Sequence, residues 1–143
     1  MVLKTMFSHN SDEWETPQAL FDDLNAEFDF ELDACASDDN HKCAEYYTIE
    51  QDGLKIMWGG RRVWCNPPYS NIAKWVEKAF RETRTDGTVV VMLIPSRTDT
   101  KYFHNYIYQR AEIRFIKGRL KFGEATSSAP FPSMLVIFRG ANV

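Results

Sequence analysis

Residues 62–94 read RVWCNPPYSNIAKWVEKAFRETRTDGTVVVMLI. Arg62 to Cys65 is a short apolar run that must stop at Asn66-Pro67-Pro68, because consecutive prolines cannot donate ladder hydrogen bonds. Beyond it, Ile72, Trp75, Val76, Ala79 and Phe80 fall on one face of a helix. Lys74, Lys78, Arg81 and Arg84 lie largely off that face. Thr88 to Ile94 is a continuous β-branched run, the pattern of a strand buried on both sides. Strand, helix and buried strand in succession predict an α/β layered architecture with parallel pairing.

Working outward, Thr16-Pro17 predicts a helix start, with Thr16 as cap and Pro17 in the first helical position. Leu20, Phe21, Leu24 and Phe28 form its apolar face. Phe28 to Leu32 reads as a short strand ending in Asp33, and residues 34–60 as irregular, with at most a short strand around Tyr46-Tyr47. On the other side, Tyr102, Phe103, Tyr106 and Ile107 make a third helical face. Ala111, Ile113 and Phe115 alternate with Glu112 and Arg114, as in a half-buried strand, and Met134 to Phe138 is a further buried strand. No helix separates these last two. A loop with Gly118, Gly123, Pro130 and Pro132 joins them, so an antiparallel pair is expected at the end of a mostly parallel α/β sheet. Ligands of such sheets bind at the carboxyl ends of the strands. Asp33, Asn66 to Tyr69 and Pro95-Ser96 should share that rim.

With 143 residues, 44% hydrophobic and 14% aromatic, one domain over 1–143 with its own core is expected, residues 1–10 being flexible. No run of 18 apolar residues occurs, so no membrane span is expected. Met1 to Asn10 lacks the apolar core of an export signal, which points to the cytoplasm. Cys35, Cys43 and Cys65 are odd in number and contain no Cys-x-x-Cys pair, against a disulfide framework and against a zinc site with His41. The net charge of −3 conceals a division. Residues 1–60 carry 14 acids and 3 bases, net −11, and residues 61–143 carry 6 acids and 14 bases, net +8. A basic second half suits a polyanionic partner.

Asn66-Pro67-Pro68-Tyr69 carries the chemistry. The exocyclic amine of adenine is a poor nucleophile because its lone pair is delocalised into the ring. The Asn66 side-chain carbonyl and the Pro67 backbone carbonyl can each accept a hydrogen bond from it, favouring a pyramidal nitrogen whose lone pair points at an electrophilic methyl group. Pro67 and Pro68 fix those acceptors rigidly, and Tyr69 offers a flat face to an extruded base. No strong general base is needed when the methyl group sits on a positive sulfonium.

Asn-Pro-Pro-Tyr resembles the catalytic signature of S-adenosylmethionine-dependent amino-methyltransferases. The wider resemblance is to the phage-type (Dam-like) DNA N6-adenine methyltransferases. It rests on Asp12-Glu13-Trp14-Glu15-Thr16-Pro17, Leu32-Asp33-Ala34-Cys35-Ala36, Asp52-Gly53-Leu54 and Trp64 to Ser70. It continues through Leu93-Ile94-Pro95-Ser96-Arg97-Thr98-Asp99, Gly118-Arg119-Leu120-Lys121-Phe122 and Ala129-Pro130-Phe131-Pro132-Ser133, covering about residues 11–139. The resemblance implies a compact Rossmann-like methyltransferase sheet with S-adenosylmethionine as cofactor. Asn66, Pro67, Pro68 and Tyr69 would be catalytic, holding the target adenine. Thr16, Pro17, Asp33, Cys35 and Asp52 would bind the cofactor, Asp33 near its methionine part and Asp52 at its adenine amine. One departure stands out: after Asp33 the chain reads Ala-Cys-Ala-Ser-Asp-Asp-Asn, without the Gly-rich loop common in such enzymes. Asp38, Asp39 or Asn40 would have to take the ribose.

The implied partner is double-stranded DNA, with a monomer favoured. Arg97, Lys101, Arg119 and Lys121 lie nearest the expected rim and are the candidates for phosphate contact. Phe122 or Phe131 could close over the flipped base opposite Tyr69. Two alternatives remain open from the residues alone: a glutamine or RNA-adenine methyltransferase, and a non-catalytic DNA-binding module that has lost its cofactor.

Overall fold

The computed structural model describes residues 15–122 and 128–143. The expectations for residues 1–10, Asp12-Glu13-Trp14 and Gly123 lie outside them. Five strands form one sheet: β1 (Leu32–Asp33), β2 (Arg62–Cys65), β3 (Val89–Pro95), β4 (Glu112–Phe115) and β5 (Ser133–Arg139). Their order is β1-β2-β3-β5-β4. β1 pairs with β2 and β2 with β3 in parallel. β5 then runs antiparallel between β3 and β4. The expected antiparallel C-terminal pair is present, but the sheet is not mostly parallel. Its pairings divide equally, because β5 also meets β3 along seven residues, Val89↔Arg139 to Pro95↔Ser133.

The two helices take opposite faces. α1 (Gln18–Phe28) buries Phe21, Leu24 and Phe28 against Trp64, Val89, Val91, Leu93, Leu135 and Ile137. α2 (Ile72–Glu82) buries Ile72, Trp75, Val76 and Ala79 against Val63, Cys65, Val90, Met92, Ile94, Met134, Val136 and Phe138. Alternate residues of β2, β3 and β5 thus supply two separate cores, as the period-2 geometry of a strand requires. Phe103 and Ile107, in a wide helical turn over Phe103–Ile107, are buried on the α2 side.

Several local expectations shift. Thr16 does not cap α1: Pro17 is the N-cap residue and no side chain caps it. Phe28 closes the helix instead of opening a strand. Asp29 turns the chain in a left-handed conformation (φ 54°), and the Asn25 side chain accepts from Phe30 N–H at 2.8 Å. The strand expected at Tyr46-Tyr47 is a single parallel bridge, Asp33↔Tyr46. In β4, Ile113 packs on the core while Phe115 is 65% exposed, because the end residue of an edge strand has a neighbour on one side only. Arg114 of β4 forks onto Glu27 of α1 at 2.7 and 2.8 Å, tying that edge to the helix. No helix among the described residues is long and apolar enough to cross a membrane.

Candidate active site

A cleft of about 410 Å³ opens where β1 and β2 end. Asp33 of β1 and Ala34 just after it line it, with Trp64 of β2, Asn66 and Pro68 just beyond β2, and Trp75 of α2. Glu15, Thr16, Cys35, Asp39, Asn40, Asp52 and Gly53 complete much of the wall. Among the described residues, four carboxylates (Glu15, Asp33, Asp39, Asp52) face it against one lysine, Lys42.

Asp33 is 3% exposed. Its carboxylate accepts from the backbone N–H groups of Cys35 at 3.3 Å and Lys42 at 2.9 Å. Burial raises its pKa from 3.8 to about 6, against the pull of those two N–H groups and of His41 and Lys42. A buried carboxyl with a raised pKa beside a cleft is a candidate ligand-binding acid. Asp52 takes a left-handed conformation (φ 58°), and its side chain accepts from Leu54 N–H at 3.1 Å.

Asn66 stands at the border of this cleft. Its Nδ2 donates to Thr16 Oγ1 at 3.0 Å, across 50 residues of sequence. The hydroxyl read as a helix cap is therefore an anchor for the Asn66 amide, and it fixes which end of that amide accepts. On the far side, Tyr69 meets Phe131 edge-on, centroids 5.4 Å apart, and Phe131 lies 6.0 Å from Phe122. Tyr69 and both of the alternatives for closing over a base, Phe131 and Phe122, are thus neighbours. Burial, with Tyr102 nearby, pushes the Tyr69 hydroxyl far above its ordinary pKa, so it remains a neutral phenol.

The missing glycine loop has a physical explanation. Residues 34–40 include no positive φ, and a Ser37–Asn40 turn closes on itself by hydrogen bonds of 3.0 and 3.2 Å. L-residues tolerate that path, so glycine is not required. The close approach falls elsewhere: a Cβ on Gly53 would lie 2.3 Å from the Ala34 carbonyl oxygen and 3.1 Å from the Trp75 ring. The sequence marks Gly53 only as part of Asp52-Gly53-Leu54 and Trp75 only as part of an apolar helix face, and it does not place Lys42 in the site. The Asp-Gly pair was the only signal for the first, and nothing local marked the others. Of the ribose candidates, Asp39 and Asn40 line the cleft, whereas Asp38 accepts from Tyr46 Oη at 2.8 Å. Pro17 and Pro67 flank the cleft without lining it.

Arg97, Lys101, Arg119 and Lys121 are all exposed. Among the described residues, ion pairs engage Lys55, Arg61, Arg62, Lys78, Arg81, Arg114 and Arg139 but none of these four. The three cysteines are thiols with no disulfide among the described residues, and no group of metal ligands occurs among those residues.

A sequence model of the family described as DNA N-6-adenine-methyltransferase (Dam) matches residues 4–142. A DNA N-6-adenine-methyltransferase of Haemophilus phage HP1 (strain HP1c1) is 36% identical over 137 residues, 90% of this chain and 79% of the relative. One of Escherichia phage T1 is 34% identical over 111 residues, 76% of this chain and 46% of the relative. The putative methyltransferase YfdM of Escherichia coli (strain K12) is 40% identical over 65 residues, 41% of this chain and 71% of that protein. The chain therefore belongs to the DNA N-6-adenine-methyltransferase (Dam) family.

Proposed function

We propose that this chain transfers a methyl group from S-adenosylmethionine to the N6 amine of an adenine extruded from double-stranded DNA. The observation that carries the reading is the Asn66–Thr16 tether at the junction of the two half-sites. With Nδ2 committed to Thr16, the amide directs its acceptor oxygen toward a substrate amine. Asn66 Oδ1 and the Pro67 carbonyl accept the two amine protons, and Tyr69 and Phe131 hold the ring. Pro67 and Pro68 keep the acceptors from relaxing, so the ordering is complete before the base arrives.

The cleft suits the donor chemically. Four carboxylates against one lysine match a ligand carrying a sulfonium and an ammonium against one carboxylate. Its volume lies within the range of small-ligand sites, roughly 300–1,000 Å³. Asp33 would take the ammonium, and Cys35 and Thr16 would line the methionine part. Asp52 would meet the adenine amine, with Trp75 beside that ring. S-adenosylmethionine, when bound, supplies an electrophilic methyl group on a positively charged sulfur. Pro17 contributes by starting α1 directly after Thr16, not by contact. Arg97, Lys101, Arg119 and Lys121 would contact phosphates, since none is committed to an ion pair among the described residues. Family membership favours adenine in DNA over glutamine or RNA adenine. The well-formed cleft counts against a module that has lost its cofactor. The β2–α2–β3 unit, with its site at the strand ends, supports reading the sheet as a reduced Rossmann-like one and the chain as a single methyltransferase domain. Unbridged thiols suit a reducing cytoplasm such as a bacterial host's.

Expression in a methylation-free bacterial host is expected to raise N6-methyladenine in its DNA, read by nucleoside mass spectrometry. Purified, donor-binding protein that methylates RNA or protein but no DNA would refute the assignment. Thr16→Val is expected to lower kcat about tenfold, by loosening the Asn66 amide through loss of one hydrogen bond. Thr16→Ser should restore most of it. A valine variant with wild-type kcat would mean that the tether does not position Asn66.

A further inference from the structure

Ser133 is the first residue of β5, paired with Pro95 at the end of β3. It is 1% exposed. Among the described residues no hydrogen-bond partner lies within reach of its Oγ. Burying a hydroxyl without a partner is unfavourable, and folded proteins rarely leave one so without a use for it. Its direction follows from the register. Leu135 and Ile137 face α1, so Ser133, two residues before Leu135, faces the same side. Trp64 also faces α1, so Asn66, two residues on, does too, consistent with its bond to Thr16. Cys65 aligns with Met92, and Leu93 with Leu135. Asn66 and Ser133 therefore stand on one face of the sheet at one rim, with β3 between them. Two strand spacings and a two-residue offset put their Cα atoms roughly 11–12 Å apart. That gap leaves room for the amine end of one purine to enter between the two side chains. Phe122 and Ala129 belong to the same face, with Phe131 packed against them.

We propose that Ser133 is a specificity-determining residue that donates its hydroxyl proton to a ring nitrogen of the target adenine while Asn66 holds the amine. This rests on the reading of the site given above. An O–H donor matches the bare nitrogens of adenine, N1 and N7, that flank its amine. Guanine presents N1–H on that edge and has no amine at the corresponding position.

The test uses the full chain and duplex oligonucleotides bearing a site that the wild-type protein methylates. The target carries adenine, 1-deazaadenine or 7-deazaadenine. Ser133→Ala is expected to lower kcat/KM on adenine about three- to tenfold, the worth of one neutral hydrogen bond. Whichever deaza analogue lacks the contacted nitrogen should be used equally by variant and wild type. The melting temperature without DNA should be unchanged or higher, because an unsatisfied hydroxyl has been removed. Wild-type kinetics of the variant on adenine would overturn the proposal. So would an equal loss on adenine and both analogues, since that loss would be structural. If the wild-type protein methylates no adenine in any duplex, the underlying functional reading fails instead.

Discussion

Asn66→Ala is expected to reduce methyl transfer by at least about 10²–10³-fold, the cost of removing one pre-aimed polar group from a reacting centre, while the Kd for S-adenosylmethionine stays within a few-fold. The alanine keeps Pro67 and Pro68 and the end of β2. It deletes the oxygen that draws the amine out of conjugation and the nitrogen that donates to Thr16. Single-turnover kinetics on host DNA and calorimetric titration of the donor separate the two effects. Simultaneous loss of donor binding and activity would make Asn66 a structural corner, for the residue also lines the cleft.

Asp33→Asn is expected to weaken donor binding at least about 30-fold at neutral pH, the lower range for truncating one partner of a buried charge pair. The pH dependence gives the sharper reading. Burial holds Asp33 near 6, above its ordinary 3.8. A carboxyl raised in the folded state favours folding fully below its unfolded value and loses that contribution as pH rises through about 6. A cationic donor needs the ionised form. Wild-type affinity should therefore fall about tenfold per unit as pH drops below 6, while the free protein is not destabilised by this group over that range. Binding near pH 6 should also release a proton, visible as a dependence of the measured heat on buffer. The Asp33→Asn variant should show a flat profile. A flat profile for wild type would remove Asp33 from the ammonium site.

The sequence made the periodic parts of the fold legible. β2, β3, β5 and the two helices follow from their apolar spacing, because tertiary packing there agrees with local pattern. What failed was non-local. Seven residues of β5 pair with β3, and no feature of either strand reveals its neighbour. Thr16 satisfies every local rule for a helix cap, and only a contact 50 residues away reassigns its hydroxyl. The site divides in the same way. Asn66 to Tyr69, Asp33 and Asp52 carry local signatures, and Phe122 and Phe131 were legible as candidates. Trp75 and Lys42 reach the cleft through the packing of whole elements, which composition does not record. The absent glycine loop was legible as a departure, but its physical reason was not: residues 34–40 need no positive φ, and this backbone places its tight approach at Gly53.

The position of β5 bears on how the chain reaches its native state. It is the last strand in the sequence yet sits inside the sheet, between β3 and β4. Until it arrives, β4 has no partner strand and the fully buried β3 is paired along one edge only. During synthesis, therefore, an apolar strand edge stays open while some forty further residues, Ser96 to Arg139, leave the ribosome. Such an edge invites intermolecular pairing. Closing it is a long-range event of the kind that makes β-rich topologies slow to fold. The strand that carries the buried Ser133 hydroxyl is thus also the one whose docking ends the period of greatest aggregation risk.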